Sequence, residues 1–288
     1  MNIKFSCVVD RDIKFQTQAL IWLYSLLGSK TATAGDVVIH LIGENEEFES
    51  VVSALGVSVV KIESNATGAA VYCHKLLQLD SPLLLEADTV VLCDTDIAFC
   101  QNIRAYLESI TTVCAKMVDR PSPSLEILNE LFTRTGFATA PETLSCQFDS
   151  GESFKLNCNG GFYVIPTKYL NSLADKWKKW ARWSLEQQDV LGKYLVHSDQ
   201  IGFCFAMHDL DLPYEALELK YNFPIHFSSD KYLGISSTPH VLHFHSLINA
   251  HGLIENIGIP LIDPAINKAN YFVLHNRRQT LPGDFSHP

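Results

Sequence analysis

The sequence predicts an α/β fold in which a Rossmann-like, mostly parallel sheet carries helices on both faces. Three observations lead to this prediction. Over the first hundred residues, short apolar runs rich in β-branched residues alternate with segments of helical spacing. The chain has 288 residues, 47% of them hydrophobic, which is enough for a large buried core. Acidic residues follow two of the predicted strands, where open parallel sheets bind their ligands.

The first half of the chain has the more regular pattern. Its predicted elements are, in order, strand 3–9, helix 15–27, strand 36–43, helix 48–55, strand 57–62, helix 69–79 and strand 89–93. The helix over 48–55 has apolar residues at i, i+3, i+4 and i+7, and Gly56 follows as a stop signal. The alternation of strands and helices implies parallel pairing, with helices covering both faces.

The second half is less regular. Its predicted elements are strands over 112–117, 161–166 and 240–245, a short helix near 125–132, and helices from Thr167 and from Ser198. The stretch 119–155 is rich in Pro, Ser, Thr and Gly and is expected to be irregular. Trp177 and Trp180 fall on the apolar face of a helix, where core packing is favoured over an exposed sugar platform.

Composition excludes several classes of function. The net charge of -10 argues against a nucleic-acid partner, which requires a basic patch. The eight cysteines form no C-x-x-C pair, and several lie in apolar runs, so we expect free thiols in a reducing compartment, the cytoplasm. The apolar stretch 19–27 is too short to span a bilayer, so no transmembrane segment is expected.

The segment VVLCDTDIAF over 90–99 raises the central question about function. An apolar run ends abruptly at Asp94, Thr95 and Asp96. Two like charges ~5 Å apart repel by ~3 kcal/mol at an effective dielectric of ~20, and a bound divalent cation would offset that repulsion. A simple turn is the alternative, because Asp and Thr are also turn formers. The position after a buried strand favours a metal site.

Other polar residues have weaker signals. His243 and His245 are two apart in a predicted strand, so both face one side, either as ligands of Mn²⁺ or zinc or as ordinary buried histidines. The sequence NCNGGFY places Asn159 and adjacent glycines before a strand, where they permit a close backbone approach or a positive φ. Asp199 and Gln200 begin a predicted helix, whose dipole alone favours an acidic residue.

The order of these segments resembles that of GT-A glycosyltransferases, especially family 8, the glycogenin-like and lipopolysaccharide-galactosyltransferase-like enzymes. The resemblance extends over about residues 3–250. The matching segments are CVVD over 7–10, Tyr72 with Lys75 and Leu76, LCDTD over 92–96, NCNGGFYVI over 157–165, Asp199-Gln200, Tyr221-Asn222 and His243-Phe244.

The resemblance implies a single GT-A-like domain over 1–288. Its nucleotide-binding half would be 1–100, its half for the acceptor and the donor sugar 101–275, and a polar tail 276–288. It implies a metal-dependent transfer of a sugar from a nucleotide-diphosphate sugar, most simply a UDP-sugar, to a glycan or other hydroxyl acceptor. In family 8 the anomeric configuration is retained, but inverting GT-A enzymes use an Asp or Glu base in a place much like that of Asp199, so inversion is the alternative.

The same resemblance implies roles for individual residues. Asp94, Asp96 and His243 would hold Mn²⁺ or Mg²⁺, which stabilises the charge that develops on the leaving diphosphate. The other implied donor-site residues are Asp10 at the base or ribose, Lys75 and Thr95 at the phosphates or sugar, and Asn159 and Gly160 at the sugar. Asp199 and Gln200 are the implied catalytic residues.

One departure from the family leaves alternatives open. The family has Lys-Pro-Trp after its histidine, whereas this chain has no lysine between His243 and Lys268. A catalytically idle GT-A-like module that binds a nucleotide or glycan is therefore one alternative. A haloacid-dehalogenase-type phosphatase is the other, although its motif continues into Gly-Thr after the first strand. Here Ile97 and Ala98 follow the fourth predicted strand.

Overall fold

The computed structural model describes residues 1–280, which form a seven-stranded central sheet, a three-stranded sheet and a β-hairpin. The strands are β1 Ile3–Val9, β2 Val37–Ile42, β3 Ser58–Ile62, β4 Thr89–Cys93, β5 Ile97–Phe99, β6 Val113–Met117, β7 Thr143–Ser145, β8 Glu152–Phe154, β9 Cys158–Pro166, β10 Tyr214–Ala216, β11 Phe223–Pro224 and β12 Val241–His243. The helices are α1 Ile13–Gly28, α2 Glu46–Ala54, α3 Pro82–Leu85, α4 Arg104–Ser109, α5 Leu125–Thr135, α6 Thr167–Glu186, α7 Gln188–Leu191, α8 Ser198–Leu210 and α9 Asp263–Thr280.

The central sheet has the strand order β10-β6-β9-β4-β1-β2-β3, and every neighbouring pair is parallel except the two that involve β9. The register pairs Cys7 with Cys93, the last residue of β4, and β1 extends two residues further to Val9. Because β9 runs in the opposite direction, its first residues lie at that same edge, where Phe162 pairs with Cys93. The carboxyl edge of the parallel strands therefore brings together segments from β1, β4 and β9.

Helices cover both faces of the sheet, as the sequence predicts. On one face, α5, α6 and α8 pack against Leu92 and Tyr163, and on the other, α1, α2 and α4 pack against Val91 and Phe162. Trp177 and Trp180 are buried within the first of these cores, as predicted. The alternation of faces along β4 and β9 follows from the two-residue period of a strand.

Close helix packing in the second half depends on a glycine. In α8, a Cβ on Gly202 would lie 2.6 Å from the backbone nitrogen of Ala181 in α6. A side chain there would collide with rigid backbone, so the close contact of the two helices requires glycine at this position. This packing fixes the start of α8, which points toward the carboxyl edge of the sheet.

The three-stranded sheet was not predicted, and it positions part of the candidate site. Its order is β11-β12-β5, and β5 begins one residue after Asp96. In the antiparallel pairing of β12 with β5, His243 lies opposite Ile97, and the Phe244 N–H donates to the Asp96 carbonyl at 2.9 Å. The register therefore brings His243 beside Asp96. The predicted strand over 240–245 is shorter than expected, since it ends at His243.

One further prediction needs correction, and one helix was not predicted. The segment predicted as an α-helix over 69–79 is a 3₁₀ helix over Gly68–Asp80, whose three-residue period aligns the buried Leu76 and Leu79. The region after 262 contains helix α9, which packs Ile266, Ala269 and Val273 against α1 and extends to Thr280. Of the predicted polar tail over 276–288, residues 276–280 are therefore helical, and the rest lies outside the described residues.

Candidate functional site

A cleft of about 710 Å³ lies at the carboxyl edge of the central sheet. Of the residues predicted to bind a ligand, the cleft is lined by Asp10, Lys75, Asp94, Thr95, Asp96, Asp199 and Gln200. Of the remaining predicted residues, Gly160 and His243 contact the lining residues Lys75 and Asp96. Asn159 contacts Gly161 and Asn222, which do not line the cleft. The edge of the sheet therefore brings together residues that are up to 233 positions apart in the sequence, from Asp10 to His243.

The two aspartates of the D-x-D segment have different partners. The Asp94 carboxylate lies 2.6 Å from Lys75 Nζ, which is also 3.2 Å from the buried carboxylate of Asp199. Lys75 also donates to the Gly160 carbonyl at 3.0 Å. We call Lys75, Asp94 and Asp199 the lysine cluster. In it, one cation balances two carboxylates.

Burial and charge shift the pKa values in the lysine cluster in opposite senses. Burial alone would lower the pKa of Lys75, but Asp94 and Asp199 raise it above its ordinary value. Burial raises the pKa of the Asp94 carboxyl, and the neighbouring Lys75 offsets only part of that rise. The lysine is therefore held in its charged form at neutral pH.

Adjacent glycines in β9 make room for both halves of the site. A Cβ on Gly160 would lie 2.5 Å from Lys75 Nζ, and a Cβ on Gly161 would lie 2.8 Å from His243 Cε1. Neither glycine has a positive φ. The sequence left open whether these glycines serve a close approach or a positive φ, and the geometry identifies the close approach.

Asp96 faces two histidine rings. His243 Nε2 lies 3.3 Å from Asp96 Oδ1, and His245 Nδ1 lies 3.7 Å from Asp96 Oδ2. The two imidazoles are stacked, with centroids 4.0 Å apart and planes inclined by 16°. We call Asp96, His243 and His245 the imidazole cluster, and one potential ligand atom from each residue lies within 4.8 Å of the others.

Hydrogen bonds behind His243 fix its tautomer. The Gly161 N–H donates to Asn159 Oδ1 at 2.9 Å, and this oxygen also accepts from Asn222 Nδ2 at 3.1 Å. Asn222 Oδ1 is therefore the atom that accepts from His243 Nδ1, at 3.1 Å. Because the proton is on Nδ1, the other ring nitrogen of His243, Nε2, faces Asp96 with its lone pair.

Polar atoms in the imidazole cluster lack partners within the protein. Among the residues that the structure describes, neither Asp96 Oδ1 nor His245 Nε2 has a hydrogen-bond partner, although both are buried. Buried polar atoms in folded proteins are normally satisfied. A metal ion that takes imidazole and carboxylate ligands fits these atoms. A Mn²⁺ or Mg²⁺ ion also fits them if phosphate oxygens complete its coordination shell.

The charges within the imidazole cluster are strongly coupled. Burial alone would raise the pKa of the Asp96 carboxyl and lower that of His243, but each partner reverses the shift of the other. The pKa of Asp96 is therefore lowered and that of His243 raised. Burial and the neighbouring His243 lower the pKa of His245 to about 2, so its ring is neutral.

Thr95 lies between the two aspartates and links the cleft to helix α1. The buried Thr95 hydroxyl donates to Gln18 Oε1 at 3.1 Å, and Gln18 Nε2 donates to the carbonyl of His245. His245 has a φ of 53°, a left-handed conformation that is uncommon outside glycine. Gln18 therefore holds the backbone turn that brings the His245 ring to Asp96.

Asp10 follows β1 and lines the cleft. Its Oδ2 accepts from His74 Nδ1 at 3.0 Å, and the Ser64 hydroxyl lies 2.7 Å from His74 Nε2. Gln200 also lines the cleft, and its Nε2 lies 3.3 Å from His197 Nδ1. Both side chains are therefore in reach of a molecule bound in the cleft.

Three residues of the site were missing from the predicted site residues. The closeness of His245 to His243 was visible in their spacing, and Asn222 matched the Tyr-Asn segment of the family, but neither was assigned a contact. Gln18 gave no signal, since it lies in an apolar helix, and only the fold brings it to Thr95. Within residues 1–280, no helix is both long and apolar enough to cross a membrane.

Comparison with solved structures supports the predicted fold. The chain is similar to mouse xyloside xylosyltransferase 1 in its apo form, with 14% identity, a TM-score of 0.52 and coverage of 88% of this chain and 100% of that chain. It is similar to the galactosyltransferase LgtC in complex with donor and acceptor sugar analogues, with 11% identity, a TM-score of 0.52 and coverage of 96% and 100%.

A third similar structure is the glycosyltransferase GlyE of Streptococcus pneumoniae, with 14% identity, a TM-score of 0.52 and coverage of 99% of this chain and 66% of that chain. No protein-family model matches the sequence, and no curated protein matches it. Identities this low establish the fold alone. The sequence, the sheet order and these neighbours together identify the chain as a protein of the GT-A glycosyltransferase fold, similar to the family 8 type.

Proposed function

We propose that the protein is a metal-dependent glycosyltransferase that moves a hexosyl group from a nucleotide-diphosphate sugar, most simply a UDP-sugar, to a glycan or other hydroxyl acceptor. The observation that carries this proposal is the pairing of the imidazole cluster with the lysine cluster in one cleft of a GT-A fold. A diphosphate needs cationic partners, and this cleft offers a lysine and a set of metal-ligating atoms side by side.

The roles of the residues follow from where they lie. Asp96 and His243 are proposed to hold Mn²⁺ or Mg²⁺, with Asp94 joining them when a donor draws Lys75 toward its phosphates. The ion supplies positive charge for the departing diphosphate. Asp10 is proposed to contact the base or ribose, Thr95 the phosphates, and the segment of Asn159 and Gly160 the donor sugar.

Asp199 and Gln200 are proposed as the catalytic residues at the start of α8. In the transfer, the bond from the anomeric carbon to the phosphate oxygen breaks, and its electrons remain on the nucleoside diphosphate. A bond from the acceptor oxygen to the anomeric carbon forms, and the proton of that oxygen passes to the departing diphosphate. Gln200 lines the cleft, and Asp199 orients Lys75 at 3.2 Å, which supports roles beside the reacting sugar. We propose retention of anomeric configuration.

The cysteines support a cytoplasmic location. All eight are free thiols, and seven of them are buried. Thiols in this state are typical of a reducing compartment.

The proposal is tested by incubating the protein with Mn²⁺ and a panel of nucleotide sugars and measuring the released nucleoside diphosphate. We expect slow hydrolysis of one donor without acceptor and faster release with it. EDTA or Asp96→Ala should abolish the release, whereas Asp175→Ala, which removes an exposed carboxylate in α6, should leave it unchanged. Equal turnover with and without metal would contradict the proposed mechanism.

One observation favours the second candidate, an idle module that binds a nucleotide or glycan. The first lysine after His243 is Lys268, which lies in α9 and donates to Gln101 Oε1 at 3.0 Å. It does not line the cleft. Nucleotide binding without sugar release in the same panel would support this alternative. A phosphatase is the least supported alternative. Release of phosphate from p-nitrophenyl phosphate that is lost in Asp94→Asn would support it.

A further inference from the structure

We propose that His245 is a metal ligand in addition to Asp96 and His243, and that these three residues bind a divalent ion before any nucleotide arrives. We further propose that this site prefers Zn²⁺ and Co²⁺ to Mg²⁺. The inference deepens the proposed function, on which it rests only for the location of the site. It requires no sugar transfer.

The separations fit ligands of one ion. Two ligand atoms bound at ~2.1 Å to the same ion lie ~3.0 Å apart at a right angle and ~3.4 Å apart at a tetrahedral angle. The observed separations from the Asp96 oxygens are 3.3 Å to His243 Nε2 and 3.7 Å to His245 Nδ1. The two distances run to different oxygens of Asp96, and one ligand atom from each of the three residues lies within 4.8 Å of the others. Side-chain rotations that shorten the longest of these separations would bring the three residues onto one ion.

The orientation of His243 also fits a ligand. Asn222 fixes its proton at Nδ1, so that Nε2 faces the carboxylate of Asp96. A lone pair that faces a carboxylate oxygen is repelled unless a proton or a cation lies between them. Metal-ligating histidines typically donate their other ring N–H to a neighbouring oxygen, and Asn222 provides that oxygen here.

An unpartnered oxygen is an independent indication. Asp96 Oδ1 is buried without a hydrogen-bond partner in the described part of the chain. A cluster of histidines that served only as core packing would be expected to satisfy such atoms within the protein. The left-handed backbone at His245 turns its ring toward Asp96 rather than away from it.

Asp94 is not needed for this site. Its carboxylate is 2.6 Å from Lys75 Nζ and is thereby engaged in the lysine cluster. The ligand set of the free protein is therefore one carboxylate and two imidazoles. Imidazole favours zinc, cobalt, nickel and iron ions, whereas Mg²⁺ favours an oxygen-only set, which determines the expected preference.

The test measures metal binding to the metal-free full-length chain without nucleotide, by calorimetric titration with Zn²⁺, Co²⁺ and Mg²⁺ and by the visible spectrum of bound Co²⁺. We expect Co²⁺ to bind at least ~100-fold more tightly than Mg²⁺. His245→Ala should weaken Co²⁺ binding by ~100-fold or more, since even a residue that only supports a ligand is worth 10–100-fold. His251→Ala, an exposed histidine nearby in sequence, is the matched control and should have no effect.

Asp94→Asn separates this inference from the ligand set of the proposed function. We expect it to change nucleotide-free Co²⁺ affinity by less than ~3-fold, because Asp94 is held by Lys75. A loss in Asp94→Asn as large as that in His245→Ala would overturn the inference, as would unchanged binding in His245→Ala. Normal Co²⁺ binding in a protein that transfers no sugar would contradict only the proposed function.

A second variant guards against simple misfolding of His245→Ala. Cysteine is also a ligand of Co²⁺ and Zn²⁺, so His245→Cys should recover Co²⁺ binding and add an intense sulfur-to-cobalt absorption band. A folded His245→Cys protein that binds Co²⁺ without that band would show that position 245 does not contact the ion, and the inference would be wrong.

Discussion

The lysine cluster and the imidazole cluster lie side by side in the cleft, and their charges are compensated in different ways. In the lysine cluster, two carboxylates have a common cation within the protein, Lys75, and its Nζ also has a carbonyl partner. In the imidazole cluster, atoms of Asp96 and His245 stay without partners among the described residues. The charges of the first cluster are paired within the protein, whereas the second keeps buried polar atoms without a hydrogen-bond partner within residues 1–280.

This difference explains how two aspartates can end one buried strand. Asp94 and Asp96 are two residues apart, yet each belongs to a different cluster, with Thr95 directed to Gln18 between them. The repulsion expected between the two carboxylates is relieved by separate cations, the lysine on one side and the His243 imidazolium or a metal ion on the other. The D-x-D segment therefore supports two charge systems.

The largest expected effect comes from removing the internal cation. Lys75→Met leaves Asp94 and the buried Asp199 without compensation, and we expect a loss of ~3 kcal/mol in the free energy of unfolding at pH 7. Burial already raises the pKa of Asp94, and the loss of Lys75 raises it further. A folded-state pKa above the unfolded value destabilises as pH rises, so the loss should be smaller at pH 5 than at pH 7.

Urea unfolding of wild type and variant at both pH values measures this effect. Lys178→Met is the matched control, because Lys178 pairs with an exposed Asp80 and should contribute less than ~1 kcal/mol. If Lys75→Met cost no more stability than Lys178→Met, Lys75 would not compensate the charges of Asp94 and Asp199.

A second contrast concerns two buried histidines. His243 lies beside a carboxylate, which raises its pKa, whereas burial of His40 in β2 lowers its pKa to about 4. His40 Nδ1 has the hydroxyl of Ser6 as its partner at 2.9 Å, which offers no charge. The partner therefore decides whether a buried imidazole is charged or neutral.

The pH dependence of stability tests this contrast. In the unfolded chain the pKa of His40 is near 6.5, but burial in the folded chain lowers this pKa to about 4. The stability from neutral His40 is therefore complete above pH 6.5 and is lost as pH falls toward 4, with ~2 kcal/mol lost by pH 5. His40→Gln should reduce the difference in unfolding free energy between pH 7 and pH 5 by that amount.

His251→Gln, at an exposed histidine, is the control for the same experiment and should leave the difference unchanged. An unaltered pH dependence in His40→Gln would mean that His40 binds its proton as readily in the folded chain as in the unfolded one.

The sequence predicted the regular parts of the molecule and missed the parts that depend on tertiary contacts. Strands β1 to β4 were predicted because each is a long apolar run in a repeating β/α pattern. Strand β5 has only three residues, and its pairing with β12 crosses more than 140 positions of sequence, so no local pattern marks it. Helix α9 had a readable signal, Asp263-Pro264 followed by apolar residues at helical spacing, which the polar composition obscured.

The site shows the same division. The aspartates and His243 were predicted because strand ends and a family motif mark them. That Asp94 pairs with Lys75, and not with the imidazoles, depends on the exact level at which β4 ends and β9 begins. The part played by Gln18 depends on how α1 packs, and no single-sequence pattern contains that information.

The smallest expected effect concerns the bond that connects the two clusters. Thr95→Val keeps the side-chain shape but removes the hydroxyl that donates to Gln18, whose buried amide oxygen then lacks this donor. We expect a loss of ~1 kcal/mol in unfolding free energy and less than a ~10-fold change in Co²⁺ affinity, since Gln18 still bonds the His245 carbonyl. A double-mutant cycle with Gln18→Leu isolates the bond, because Thr95→Val should cost nothing further once Gln18 is gone. Additive losses in the cycle would show that Thr95 and Gln18 act independently, and the two clusters would then be neighbours without a connection.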